Sequence, residues 1–179
     1  MDEKKLLETA LEMGFANAAL IDTEELTFIP AFRPLCEENL CGKYGVNYAC
    51  PPDCGTVEQM RRKVLRWRRA LVMQTMWDIE DPLNNEEFKP AKAQHNRLTR
   101  QLIDRAGEPG LMIGASGCSL CTPCAITEGK PCRFPELQYS CMSAYCIFVE
   151  ELTKRCGMEY DCGPGVTAFF SMYCFQPRD

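Results

Sequence analysis

Thirteen of the 179 residues are cysteine, and their clustering is where this chain could do chemistry. In the segment from Gly117 to Pro135, Cys118, Cys121 and Cys124 follow a C-x2-C-x2-C spacing, and Cys132 follows after seven more residues. A tight loop carrying three thiolates two residues apart can wrap one face of an iron–sulfur cube, and its free backbone N–H groups can donate to the cluster sulfurs. Bacterial ferredoxins open with this triplet and place proline after the fourth cysteine. Here the fourth spacing is longer and Arg133 follows it. Structural zinc takes its cysteines in pairs from two separate knuckles, so the third member of a triplet suits it poorly. A 4Fe–4S cluster is the expectation for this loop, with zinc as the alternative. Lys130 and Arg133 stand beside the fourth cysteine, where they would offset thiolate charge.

The earlier segment Leu35–Thr56 carries Cys36, Cys41, Cys50 and Cys54, spaced x4, x8 and x3. Pro51 and Pro52 follow Cys50 and stiffen the chain there. This spacing matches neither a common zinc pattern nor a ferredoxin pattern. It reads as a second metal site or as a loop with buried thiols. Cys54 stands apart from its three neighbours, because Thr56 opens a helix directly after it. Tyr44 and Tyr48 either cover this site or simply pack. Cys141, Cys146, Cys156, Cys162 and Cys174 are scattered through apolar segments and read as buried thiols, the default for a small hydrophobe. The one histidine, His95, nearly excludes zinc sites of the Cys2His2 kind and reads as a surface residue. No phosphate loop, nucleophile elbow or paired-carboxylate signature is visible.

Elements that could hold these loops follow from periodicity and punctuation. Helices are expected over Glu3–Met13, from Thr56 to about Arg69 behind a Thr56/Gln59 capping box, over Asn84–Ala106 after Pro90, and over Ile147–Cys156. Strands are expected at Phe15–Asp22, Ala70–Trp77, Leu111–Ala115 and Val166–Phe175. Ile29–Cys54 and Ser116–Pro135 read as loops. Each runs to about twenty residues, long for a compact domain unless something such as a metal centre orders it. The expectation is an α/β or α+β fold: residues 1–179 as one domain, with a single sheet of about four or five strands layered with helices.

An apolar share of 46% and a charged share of 25% suit a folded globular chain and argue against disorder. A net charge of −5 argues against nucleic acid as the main partner. No stretch is apolar for long enough to span a membrane. The opening MDEKKLLETALEMG lacks a signal core, so a cytoplasmic setting with reduced thiols is the expectation. Arg61, Arg62, Lys63, Arg66, Arg68 and Arg69 make a basic stretch, either a solvated helix face or a dock for an acidic redox partner. The oligomeric state is not readable.

Together the two loops resemble a bacterial and archaeal family of predicted metal-binding proteins, the DUF2284 domain. The residues that carry the likeness are Cys36, the stretch from Cys41 to Asn47, Cys50-Pro51-Pro52, the triplet Cys118, Cys121 and Cys124, and Pro131-Cys132-Arg133 with Pro135. Cys54 lies outside that pattern. The resemblance implies a cysteine-ligated metal, most simply iron–sulfur, in mostly anaerobic microbes. With the spacing of both loops, the expectation is one or two iron–sulfur clusters whose task is electron transfer or presentation of a cluster to a partner. The resemblance carries no established reaction, and an enzyme with an open cluster position stays an alternative. After the second loop the family tends to carry Ser-x-Glu-Ala-x-Gly-Ile-Asp-Val. This chain has Cys141-Met142-Ser143-Ala144-Tyr145-Cys146-Ile147-Phe148-Val149, with both acids replaced and two cysteines added.

Overall fold

A computed structural model describes residues 2–81 and 85–178. Strands β1 (Asn17–Asp22), β2 (Trp67–Asp78), β3 (Leu111–Gly114), β4 (Ser140–Cys141) and β5 (Val166–Pro177) form one mixed sheet in the order β1-β2-β5-β3-β4. All neighbours are antiparallel except β3 and β4, which run parallel. The helices are α1 (Glu3–Glu12), α2 (Arg33–Glu37), α3 (Val57–Leu65), α4 (Asn85–Ala106) and α5 (Val149–Arg155). The fold is therefore α+β, with helices on both faces of the sheet.

The central strands β2 and β5 explain the layering. Side chains alternate across a strand, so a strand covered on both faces reads as a nearly unbroken apolar run. Ala70, Val72, Met172 and Cys174 pack on one face with Met60 and Val64 of α3 and Leu152 of α5. Leu71, Met73, Tyr173 and Phe175 pack on the other with Leu6 and Ala10 of α1 and Leu102 of α4. The Thr56/Gln59 capping box forms as expected: Thr56 Oγ1 accepts the Gln59 N–H at 3.2 Å, and Gln59 Oε1 accepts the Thr56 N–H at 2.8 Å.

Four expectations change. Helix α3 stops at Leu65, short of Arg69, because Trp67 and the residues after it pair with β5 from Pro177 backwards. Arg68 and Arg69 thus lie on a strand, with Arg69 Nε 2.9 Å from Glu3 Oε1, and the basic stretch is split between two elements. The first loop is not without structure, since it holds a short 3-10 turn at Pro30–Phe32 and then α2. Strand β4, two residues long, carries no periodicity of its own and exists through its pairing with β3. Helix α4 includes Pro90 within its run from Asn85, while the expected start at Asn84 lies outside the described residues. No helix among the described residues is long and apolar enough to cross a membrane.

His95 is fully buried, not a surface residue. Its Nδ1 lies 2.8 Å from Thr75 Oγ1, which itself accepts the Trp77 Nε1–H at 2.8 Å. The other ring nitrogen, Nε2, is buried without a hydrogen-bond partner among the described residues. The ring of Phe15 meets the imidazole edge-on, with centroids 5.6 Å apart. Burial pushes the His95 pKa down to about 3. The unfolded chain takes up a proton near pH 6.5 and the folded chain does not, so stability falls as pH drops below 6.5 and continues to fall toward 3. Urea unfolding at pH 7, 6 and 5 should show this loss, approaching about 1.4 kcal/mol per pH unit at the lower end. In His95→Gln the slope over that range should be clearly shallower, and an unchanged slope would mean that other groups set the acid sensitivity.

Candidate metal centre

The second cysteine loop leaves the sheet at the end of β3, and α4 holds its first residues. Asn96 Oδ1 accepts the Ala115 N–H at 2.9 Å, and Asn96 Nδ2 donates to Ser116 Oγ at 2.9 Å. Cys124 then opens a 3-10 turn, Ala125–Glu128, which closes at Gly129 with φ +65°, a conformation that suits glycine. Cys118, Cys121, Cys124 and Cys132 are all half-buried and line one hollow with Tyr48 and Phe134. The hollow is narrow, about 10 Å³, room for roughly one water molecule.

The sulfurs in this hollow are surrounded by donors. Burial pushes the Cys124 thiol up, but the backbone N–H groups of Ile126, Tyr48 and Ala125 and the Cys121 thiol outweigh it and hold the pKa below the usual range. Burial dominates at Cys118 and raises its pKa, although the N–H groups of Leu120 and Tyr139 also donate to its sulfur. Arg133 donates to Cys121, to Pro123 O at 3.0 Å and to Glu128 Oε1 at 2.9 Å. Lys130 pairs instead with Glu128 at 2.9 Å.

The first loop gathers sulfur differently. Cys36 sits on α2, one turn after Arg33. Arg33 donates to Gly55 O at 2.9 Å and to Ala144 O at 2.8 Å, tying the helix to the end of its own loop and to the turn after β4. Cys41 is exposed and Cys50 is buried. Cys50 packs against Gly117, where a Cβ would stand 2.6 Å from its Sγ, so only glycine fits there. Cys54 is buried in the main core with Met60 and Ile113, and its thiol faces Gly55 O at 3.8 Å. The addition is Cys141. It lies on β4, beside Gly114 of β3, and its charge acts on Cys36, Cys50 and Cys54. Burial, then Cys141, then other nearby thiols push Cys36 up to about 11 and Cys50 up to about 12, while Arg33 and Lys43 oppose this. Thiols that would repel one another as thiolates ionise together only beside a strong cation.

The two loops also touch. Asn47 Nδ2 donates to Cys118 O at 2.8 Å, and Asn47 Oδ1 accepts the Ala49 N–H at 2.9 Å. Tyr48 Oη donates to Lys130 O at 2.8 Å, so this tyrosine serves the second site rather than covering the first. Among the described residues, no three His, Cys, Asp or Glu side chains gather around a point that would hold a single metal ion. Past Cys141 opens a cleft of about 490 Å³, walled by Phe88, Phe169, Phe170 and Tyr160 and entered by Lys92. The Lys92 ammonium lies 4.1 Å from the Phe88 ring centroid, and burial lowers its pKa.

Of the eight cysteines singled out by spacing, the structure brings Cys118, Cys121, Cys124 and Cys132 around one hollow. It places Cys36, Cys41 and Cys50 near Cys141 and turns Cys54 into the core. Cys146 is fully buried, as its apolar setting suggested, and takes a left-handed φ of +56°.

A family model described as a predicted metal-binding protein, DUF2284, matches residues 19–175. No curated protein and no solved structure matches the chain. The matched region contains both loops, β2, β3 and β4, and most of β1 and β5, so the ties between the loops fall within it. Asn47 is the buried one of these ties, and replacing it with leucine strands the Cys118 carbonyl and the Ala49 N–H, each worth about 1–3 kcal/mol when buried and unpaired. Asn47→Leu should lower the unfolding midpoint and speed proteolytic cutting between Ser116 and Pro135; equal cutting rates would show that the loops are held by something else.

Proposed function

The chain belongs to the DUF2284 family of predicted metal-binding proteins, and from that premise we propose that it is a cytoplasmic iron–sulfur protein that carries electrons. The observation that carries this reading is the second hollow: four thiols of a C-x2-C-x2-C-x7-C segment around one space, with peptide N–H groups donating to the sulfurs of Cys118 and Cys124. The donor set fits the group, and the four sulfurs would have to part to admit it, since the hollow has room for about one water. All the donors are sulfur, as 4Fe–4S clusters require, and N–H donors to sulfur are one of the means by which a protein tunes a cluster's potential. When bound, such a cluster supplies reversible one-electron chemistry. The chain's own residues set its surroundings: Arg133 offsets thiolate charge at Cys121, and Tyr48 and Phe134 shield one side from water. The first loop is the place for a second cluster of the same kind.

A second reading has one specific observation in its favour. The cleft of about 490 Å³ beside Cys141 is the size of a small-molecule site, so an enzyme with an open iron at the first loop fits the same surface. Thiolate zinc is the alternative for either loop.

Anaerobic purification with iron, zinc and acid-labile sulfide analysis separates these readings. The protein should be brown, bleach on reduction and contain sulfide; stoichiometric zinc without sulfide, after expression with ample iron, would sink the iron–sulfur reading. Cys121→Ala should lose the metal of the second loop and make Ser116–Pro135 open to protease. A structural metal is worth about 10–16 kcal/mol in small peptides, against about 5–15 for a whole domain, so that loss should be plain in the melting curve.

The partner in this proposal is an acidic redox protein docking on α3. Exposed charges are screened over about 8–10 Å at ordinary ionic strength, so reduction by such a partner should slow as salt rises. Arg61→Glu with Arg62→Glu should slow the bimolecular rate and leave the visible spectrum alone. A rate independent of salt would return α3 to a solvated face, for which Glu58 already supplies charge compensation 4.0 Å from Arg61 and 3.8 Å from Arg62.

A further inference from the structure

Besides the fully buried Cys146, whose carbonyl accepts from Ile29, five cysteines stand in or beside the first loop, and a cluster needs four. Cys54 has its side chain in the main core, faces Gly55 O and is 6% exposed. Cys141 is half-buried: it packs at the edge of that same core and lines the open cleft. Two independent ties hold Cys141 at the first loop. Strand β4 pairs Cys141 with Gly114, and three residues further along the same chain Gly117 packs against Cys50. Arg33, one turn before Cys36, donates to Ala144 O, while the Ala144 N–H donates to Cys141 O at 3.0 Å. Cys50 and Cys36 are thereby fastened from two directions to the short stretch that bears Cys141.

We infer that Cys141 is the fourth thiolate of the first centre, completing Cys36, Cys41 and Cys50, and that Cys54 is a core residue. This inference rests on the iron–sulfur reading of the loop and deepens it. A centre with four thiolates has no open iron, so the first loop is built to pass electrons and not to bind substrate at metal. The cleft then lies against a ligand of the centre, separated from it by the Cys141 side chain.

The test compares full-length wild type, Cys141→Ala, Cys54→Ala and Cys141→Ser after anaerobic reconstitution with iron and sulfide. Cys141→Ala should lose about half of the bound iron and sulfide, and Cys54→Ala should keep the wild-type content. The reverse pattern, or full content in Cys141→Ala, would overturn the assignment. Should Cys141→Ala fail to fold, Cys141→Ser decides: an oxygen ligand should change the paramagnetic-resonance signal of one centre, and a spectrum identical to wild type would overturn the proposal. Were wild type to hold zinc without sulfide, the iron–sulfur reading would fall while the ligand set stayed testable. Zinc per chain should then drop in Cys141→Ala and not in Cys54→Ala, and an unchanged zinc content in Cys141→Ala would reject Cys141 as a ligand.

Discussion

Charge repulsion between sulfurs is the constraint on which the rest of this structure turns. Two loops bring many thiols into a small region, and each thiolate formed there would raise the cost of the next. Burial and neighbouring thiols push Cys36 up to about 11 and Cys50 up to about 12, so these side chains are neutral at pH 7 unless a cation stands among them. The fold cannot use attraction between the sulfurs to assemble the sites. It uses neutral peptide and amide contacts: Asn47 to Cys118 O, Tyr48 to Lys130 O, and Asn96 to Ala115 and Ser116. Arg33 brings formal charge to the first loop and spends it on two carbonyls, and Arg133 does the same in the second with Pro123 O, Glu128 and Cys121.

The sheet makes those contacts possible. Its two long central strands are buried on both faces. The second loop is held at both ends, by β3 and by β4, while the first runs between β1 and the start of α3. Between those ends each loop rests on the other, which is why the loop-to-loop bonds matter more than their small number suggests. Replacing a buried polar side chain that serves two partners costs more than removing one bond, because both partners are left without water or protein to meet them.

How much of this could be read from the chain alone follows from the range of each signal. The capping box, the α4 stop at Gly107 and the apolar runs of β2 and β5 are local patterns, and they were legible. So was the C-x2-C-x2-C triplet, since a single tight loop positions its sulfurs. The burial of His95 was not legible: its neighbours in sequence, Gln94, Asn96 and Arg97, are polar, and only the packing of α4 across the sheet shows that Asn96 and His95 face inward. The end of α3 was misjudged for a similar reason. Helical periodicity continues plausibly to Arg69, and the pairing with β5 overrides it.

Cys141 shows the same limit at the candidate site. Its surroundings in sequence are apolar, and any single cysteine in such a setting reads as a buried thiol. Nothing near it marks it as a ligand, because its relation to Cys50 and Cys36 is made by the pairing of β4 with β3 and by a guanidinium from α2. Cys54 is the converse. Spacing placed it with the first loop, yet the capping box at Thr56 starts α3 so soon after it that its side chain turns into the core with Met60. A helix start and a two-residue strand thus decide between them which sulfur faces the site. Spacing is a good guide to which sulfurs a single loop gathers, and a poor guide where another sulfur arrives from a different part of the sheet.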